Sequence, residues 1–284
     1  MPVLKIVIPK GRMFAQISSL FSDADIKVEV HDRHYIPRIG DPEIEAKILK
    51  PQNIATLIEM GAHDAGFTGR DWVVESGAEV EEVMDLELDP VRIVSAVPQC
   101  VVLEEMLKRR ILVASEYAGI ASRYLESKGC AYRLLRTFGA TEVYPPDDAD
   151  MIVENVSTGY TLKRHKLKIA DEIMRSSTRF IANRKGMEDP WKREKIEELK
   201  MLFSAVLNAR SRVMIEMNVV QEKLESLVSI LPCMRVPTVS KLYGDQGYAI
   251  KVAVPRSRTV KLIPQLKKIG ATDILEYEFK KVIP

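Results

Sequence analysis

Short apolar runs alternating with amphipathic helical stretches constrain this chain more than any other feature. Leu4-Lys5-Ile6-Val7-Ile8-Pro9 reads as a buried strand. Lys10-Gly11-Arg12 then turns the chain into a helix whose apolar positions Phe14, Ile17, Leu20 and Phe21 share one face. Strands are expected at 26–30 and 44–49, and Pro51 opens a helix over 52–60, since proline suits the first helical turn. A short strand at 65–68 ends in Gly69, and Asp71 sits where another helix begins. After a break near Asp89-Pro90 come strands at 91–97 and 111–115, a helix over 117–127, a strand at 151–153 and a helix over 158–164. Residues 168–176 and 179–183 read as returning strands. Residues 188–207 read as a long helix with Ile196, Leu199, Phe203 and Val206 at helical spacing. This alternation predicts an α/β fold with mainly parallel sheets.

The end of the chain changes character. Strands at 213–217, 238–242, 249–254 and 274–279 enclose helices at 221–229 and 258–269, the latter capped by Gly270. The order is βαββαβ, a split-βαβ or ferredoxin-like module. A length of 284 residues suits two or three domains at roughly 100–200 residues each. The expected division is residues 1–89 plus 177–208, residues 90–176, and residues 209–284.

A net charge of +2 gives no global push toward nucleic acid or an anionic membrane. No stretch approaches the ~18 apolar residues of a membrane span. The amino terminus enters a strand without a secretory pattern. Cys100, Cys130 and Cys233 are far apart, as expected of idle thiols in a reducing compartment, so a cytoplasmic location is expected. His31, His34, His63 and His165 form no metal-ligand spacing.

The chemistry concentrates in Asp150-Met-Ile-Val-Glu154-Asn-Val-Ser157-Thr158-Gly159-Tyr160-Thr161. An apolar strand delivers one acid, then a hydroxyl-rich turn with a glycine, then a helix. Gly159 lets backbone approach an anion, and amides at the helix start carry partial positive charge. The hydroxyls of Ser157, Thr158 and Thr161 add donors, and Glu154 suits ribose hydroxyls. A plain N-capped helix, with Ser157 or Thr158 as cap, is the structural alternative. Lys10 and Arg12, after the first strand, suit a diphosphate, because a guanidinium binds two oxygens and an ammonium adds a point charge.

The loop resembles the phosphoribosyl diphosphate loop of phosphoribosyltransferases, although the common type places two adjacent acids before Thr-Gly-x-Thr and here Asn155 follows Glu154. Other stretches select a branch. Ile8-Pro9-Lys10-Gly11-Arg12, Asp64-Ala-Gly-Phe-Thr-Gly69-Arg-Asp71, the strand at 91–98, Gly139-Ala-Thr-Glu142, residues 150–162 and 176–183 are together similar, in order, to ATP phosphoribosyltransferases. Pro237-Thr238-Val239-Ser240 and Gly270-Ala271-Thr272-Asp273 resemble the regulatory domain of the long form of that family.

The resemblance implies two periplasmic-binding-protein-like α/β domains forming a cleft, plus an ACT-like carboxy-terminal domain. It implies transfer of a phosphoribosyl group to N1 of ATP, with Mg²⁺ carried by the substrate diphosphate. The substrate-binding residues implied are Lys10, Gly11, Arg12, Lys50, Asp71, Tyr117, Glu142, Glu154, Ser157, Thr158, Gly159, Tyr160 and Thr161, with Tyr117 either stacked on adenine or packed at its helix start. No residue is expected to act as an acid or base. Asn218, Thr238 and Asp273 fall near histidine, the expected inhibitor. A homo-oligomer, dimer to hexamer, without a regulatory partner chain is implied. Near Lys50 the sequence Asn53-Ile54-Ala55 departs from the family's Asp-Ile-Pro. A solute-binding module and a phosphoribosyltransferase acting on a free base are the competing readings.

Overall fold

In the computed structural model, which describes residues 2–30, 35–234 and 236–283, β1 (Leu4–Pro9) is buried at five of six positions and lies inside a five-stranded sheet. His31 and His34 lie outside the described residues. The chain then runs through α1 (Arg12–Asp23), β2 (Val28–Glu29), β3 (Arg38–Ile39), β4 (Ile44–Leu49), α2 (Pro51–Glu59), β5 (Ala65–Gly69), α3 (Arg70–Ser76) and β6 (Val80–Asp85). A second run gives β7 (Val91–Pro98), α4 (Leu103–Met106), β8 (Ile111–Ser115), α5 (Ala118–Ser127), β9 (Tyr132–Arg136), β10 (Met151–Val156), α6 (Tyr160–Arg164) and β11 (Leu167–Ser176). Only Ser177 separates β11 from β12 (Thr178–Asn183), which returns to the first sheet ahead of α7 (Pro190–Arg210).

The first sheet has the order β4-β1-β5-β12-β6 and the second β11-β7-β10-β8-β9. Both are mixed rather than mainly parallel. β4, β1 and β5 run parallel while β12 is antiparallel to both its neighbours; β10, β8 and β9 run parallel while β7 is antiparallel to β10 and β11. The cause is the double crossing between sheets, which sends β7 and β12 in against the parallel strands. The two crossing segments bond to each other, Leu86 N–H to the Thr178 carbonyl and Thr178 N–H to the Leu88 carbonyl.

The carboxyl ends of β1, β4 and β5 on one sheet, and of β8 and β10 on the other, are where ligands of open α/β sheets gather. Apolar packing holds the frame. Phe67 stacks on its register partner Phe180 at 4.9 Å, and Trp72 of α3 joins the core under the second sheet with Ile120, Ile93 and Val153.

Two edge strands, β6 and β9, escaped the sequence reading, because edges carry few buried apolar residues to mark them. The strand expected at 26–30 shrinks to the two residues of β2, which among the described residues pairs with β3 alone. The helix expected at 221–229 is a 3₁₀ turn followed by the five-residue α8 (Leu224–Val228).

The chain divides into two compact units, one of residues up to Ser19 with Ile26–Glu197, the other of Leu20–Asp25 with residues from Glu198 onward. In the second unit, β13 (Arg212–Val219), α8, β14 (Thr238–Lys241), β15 (Tyr248–Pro255), α9 (Thr259–Ile269) and β16 (Thr272–Glu278) form an antiparallel sheet of order β14-β15-β13-β16. Val213, Ile215, Met217 and Val219 alternate into a core shared with Leu227, Leu262 and Leu266 of the helices. This is the ferredoxin-like order that the βαββαβ pattern requires.

Candidate functional site

β10 delivers Glu154 and Asn155 to its carboxyl end, and the chain then turns through Ser157, Thr158 and Gly159 into α6. Gly159 has φ 76°, a left-handed conformation that a side chain disfavours. The amides of Ser157, Thr158 and Gly159 donate to no backbone carbonyl among the described residues. α6 has five residues rather than the seven expected, so its dipole is small, and the loop's own amides and hydroxyls must carry most of any anion binding. Thr158 Oγ1 accepts from Tyr160 N–H at 3.4 Å, but the N-cap residue of α6 is Gly159, so neither Ser157 nor Thr158 is the cap.

This loop lines a cavity of about 390 Å³ together with Arg12, Glu116, Glu142 and Glu154; all five residues from Ser157 to Thr161 contribute. A second cavity of about 230 Å³ is lined by Lys10, Arg12, Gln52, Asp71, Glu116 and Tyr117, among others. Arg12, Glu116 and Asn155 belong to both, so the two form one continuous cleft with walls from both sheets. Arg12 is held by Asp89 at 2.8 Å and stays 63% exposed on its side chain, free to meet a ligand. Lys10 Nζ donates to the Tyr35 hydroxyl at 3.0 Å, and this hydrogen bond, then the lysine charge, lowers the tyrosine's pKa. Gly11 takes φ +85° in the turn between them.

Asp71 is 4% exposed. Its Oδ1 accepts from Ser176 Oγ at 2.6 Å and its Oδ2 from the Tyr117 hydroxyl at 2.8 Å, while its own N–H donates to Ser176 Oγ at 2.9 Å. Tyr117 does not offer its ring to a base. It is 1% exposed and stacked on Trp72 at 4.5 Å, so packing rather than adenine stacking occupies it. Burial, then the Asp71 charge, pushes its hydroxyl pKa far up. Asn155 Nδ2 donates both to that hydroxyl at 3.1 Å and to Glu154 Oε1 at 2.9 Å. Burial raises the pKa of Glu154 in spite of hydrogen bonds from Thr141 and the Asn155 backbone, and the nearby Glu116 and Glu142 raise it further.

Lys50 is the N-cap residue of α2 and lines neither cavity. Sequence reasoning missed Glu116, which accepts from Gln52 at 3.0 Å, as well as Asn155, Ser176 and Asp89. Glu116 and Asp89 carried no sequence signal beyond proximity to strand ends, whereas Asn155 and Ser176 lay inside the stretches that resemble the family but were given no role there. Two buried oxygens of residues that line the smaller cavity, Gln52 Oε1 and Thr178 Oγ1, have no hydrogen-bond partner among the described residues and suit a hydrogen-bond donor.

In the second unit, Asn218 Nδ2 and Thr272 Oγ1 both donate to Asp273 Oδ2 at 3.0 Å, and these bonds lower the carboxyl pKa. Asp273 has φ 50° and sits in a bulge where β13 and β16 shift register. Thr238 does not join them. It pairs with Lys251 on edge strand β14, whereas Asn218 pairs with Ala249, which is opposite Ser240.

A family model described as ATP phosphoribosyltransferase matches residues 50–205, and one for the HisG C-terminal domain matches residues 209–281. ATP phosphoribosyltransferases of Chlorobium phaeovibrioides and Chlorobium luteolum are 41% and 42% identical, each over 99% of this chain and 98% of the relative. That of Thermodesulfovibrio yellowstonii is 37% identical over 99% of both. A solved ATP phosphoribosyl transferase (HisG:HisZ) complex from Thermotoga maritima aligns at TM-score 0.63 and 27% identity, over 71% of this chain and 98% of that one. With both family models matched in order along one polypeptide, this chain belongs to the ATP phosphoribosyltransferase family, in the long form that carries the C-terminal domain.

Proposed function

We propose that the chain joins ATP to 5-phosphoribosyl 1-diphosphate, giving 1-(5-phosphoribosyl)-ATP and diphosphate, the first step of histidine biosynthesis. The observation that carries this is the loop from Ser157 to Thr161, with Gly159 left-handed, opening on a cavity that Arg12 and Glu154 also line. The lone pair of adenine N1 forms the bond to C1 as the bond from C1 to the diphosphate oxygen breaks, and the electron pair leaves with the diphosphate. No proton need be removed before attack, so positioning and charge stabilisation dominate. The loop holds the 5-phosphate, Glu154 accepts from ribose hydroxyls, and Lys10 and Arg12 meet the departing diphosphate. Gly11 lets the basic turn form, and Asp71 and Glu142 face the nucleotide.

No group of three or more His, Cys, Asp or Glu residues suited to a metal occurs among the described residues. The acids Glu116, Glu142 and Glu154 around the cavity suit an ion held chiefly through diphosphate oxygens and water. Bound so, Mg²⁺ supplies neutralisation of the developing diphosphate charge.

We further propose that residues 1–89 with 177–208 and residues 90–176 are the two catalytic domains, and that residues 209–284 bind histidine. Asn218 and Asp273 form the inhibitor site, Asp273 pairing with the ligand amine; Thr238 contributes only if a second copy brings it there. The working assembly is a cytoplasmic homo-oligomer, dimer to hexamer, without a regulatory partner chain. No helix among the described residues is long and apolar enough to cross a membrane.

Incubation with ATP, phosphoribosyl diphosphate and Mg²⁺ tests the reaction through the near-ultraviolet absorption of the product. No product would overturn it, and product from adenine, hypoxanthine or orotate in place of ATP would point to a free-base enzyme. Thr161→Ala removes one exposed hydroxyl from the loop. It is expected to weaken phosphoribosyl diphosphate binding by about tenfold, the worth of one good hydrogen bond to a charged group; unchanged affinity by calorimetry removes that role. Asp273→Ala is expected to raise the histidine inhibition constant at least about tenfold, and an unchanged constant moves the inhibitor site elsewhere.

A further inference from the structure

A chain of directed hydrogen bonds crosses the cleft. Ser176 ends β11, Asp71 lies on α3 after the first sheet, Tyr117 precedes α5, and Asn155 and Glu154 end β10 of the second sheet. The directions are forced at both ends. The amide of Asn155 gives one N–H to Glu154 and the other to the Tyr117 oxygen. That hydroxyl, its oxygen already accepting, gives its proton to Asp71. Asp71 also receives the Ser176 proton, and both donors are neutral. A buried carboxylate held this way polarises every bond leading to it.

The chain links the two cavities, because Asp71 and Tyr117 line the smaller, Glu154 the larger and Asn155 both. Around it the two sheets' elements are already joined. The α5 amides of Gly119 and Ile120 donate to Glu75 of α3 at 2.9 Å, and Arg123 donates to the Val74 carbonyl at 2.8 Å.

We propose that Tyr117 is a positioning residue, whose hydroxyl sets Glu154 against Asp71 through Asn155, so that ribose and nucleotide are held in one register. This rests on the phosphoribosyl reading of the cleft. Asn155, which stands where the common loop has a second acid, acts as the connecting donor. A carboxylate there would present no donor to either partner when ionised.

Tyr117→Phe deletes the hydroxyl and keeps the ring on Trp72. Asn155→Ala breaks the chain from its more exposed end, and serves alone if the tyrosine variant fails to fold. Each is expected to raise the KM for phosphoribosyl diphosphate by about tenfold, with the melting temperature falling by no more than a few degrees for the hydrogen-bonding partner left unsatisfied. The double variant should be no worse than the poorer single one, since either change empties the same link. Purely structural roles would lower the melting temperature and leave KM in place. The inference is overturned if Tyr117→Phe keeps its KM within about twofold of an active wild-type chain, or if the two effects multiply. A wild-type chain that makes no phosphoribosyl-ATP overturns the reading of the site and this inference with it.

Discussion

Gly69→Ala is expected to lower kcat/KM by about a hundredfold, or ~2.7 kcal/mol of transition-state stabilisation, in a chain that still folds. The backbone at Gly69 has φ −69° and ψ 146°, which any residue adopts. The obstacle lies in front of it. A Cβ at this position stands 2.0 Å from Asp71 Oδ1 and 3.4 Å from Ser176 Oγ. The methyl group therefore expels the carboxylate from its seat, breaking the bonds from Ser176 and Tyr117. Leaving such buried groups unsatisfied costs about 1–3 kcal/mol, so the melting temperature should fall by a few degrees rather than collapse. Steady-state kinetics beside a thermal melt check both. Wild-type kcat/KM in a folded variant would mean that the position of Asp71 is immaterial to the reaction.

Glu154→Gln is expected to stabilise the chain at neutral and mildly alkaline pH while weakening phosphoribosyl diphosphate binding by about tenfold or more. Burial raises the pKa of this carboxyl above its ordinary 4.5. The folded chain thus holds the proton more tightly than the unfolded chain. Between the two pKa values the native state binds more protons, so stability falls as pH rises through that window, and the cost of the ionised acid persists above it. Glutamine carries no charge and its oxygen can still accept from Asn155, so that cost disappears. The ribose hydroxyls that Glu154 is proposed to bind, however, would lose a charged acceptor. The wild-type profile of kcat/KM for phosphoribosyl diphosphate should show an acid limb above pH 4.5, and the variant should lack it. Melting curves from pH 4 to 9 and kinetics over the same range test the pair; a variant that retains the limb, or melts lower than wild type at pH 8, would assign the titration to another group.

Legibility differed from residue to residue. The loop at Glu154–Thr161 was readable because each step of it is local: an apolar strand, a glycine that allows a left-handed turn, and hydroxyls within a few residues. Lys10 and Arg12 were readable for the same reason. The rim strands β6 and β9 were not, because an edge strand needs apolar residues on neither side of its pattern. The parallel sheets expected from alternation proved mixed, since strand direction depends on where the chain crosses between sheets, and no local signal marks a crossing.

The same division runs through the site. Sequence alone determined the alternating α/β order, the βαββαβ ending and the strand–glycine turn–helix at 151–164, because periodicity and turn chemistry act over a few neighbouring residues. Only the tertiary structure decided what Tyr117 does, that Asp71 is buried between Ser176 and that tyrosine, that Asn155 joins them to Glu154, and that Thr238 stands apart from Asn218 and Asp273. Those partners are separated by tens of residues and meet only because the packed sheets bring their strand ends together, which is why no pattern within the chain foretold them.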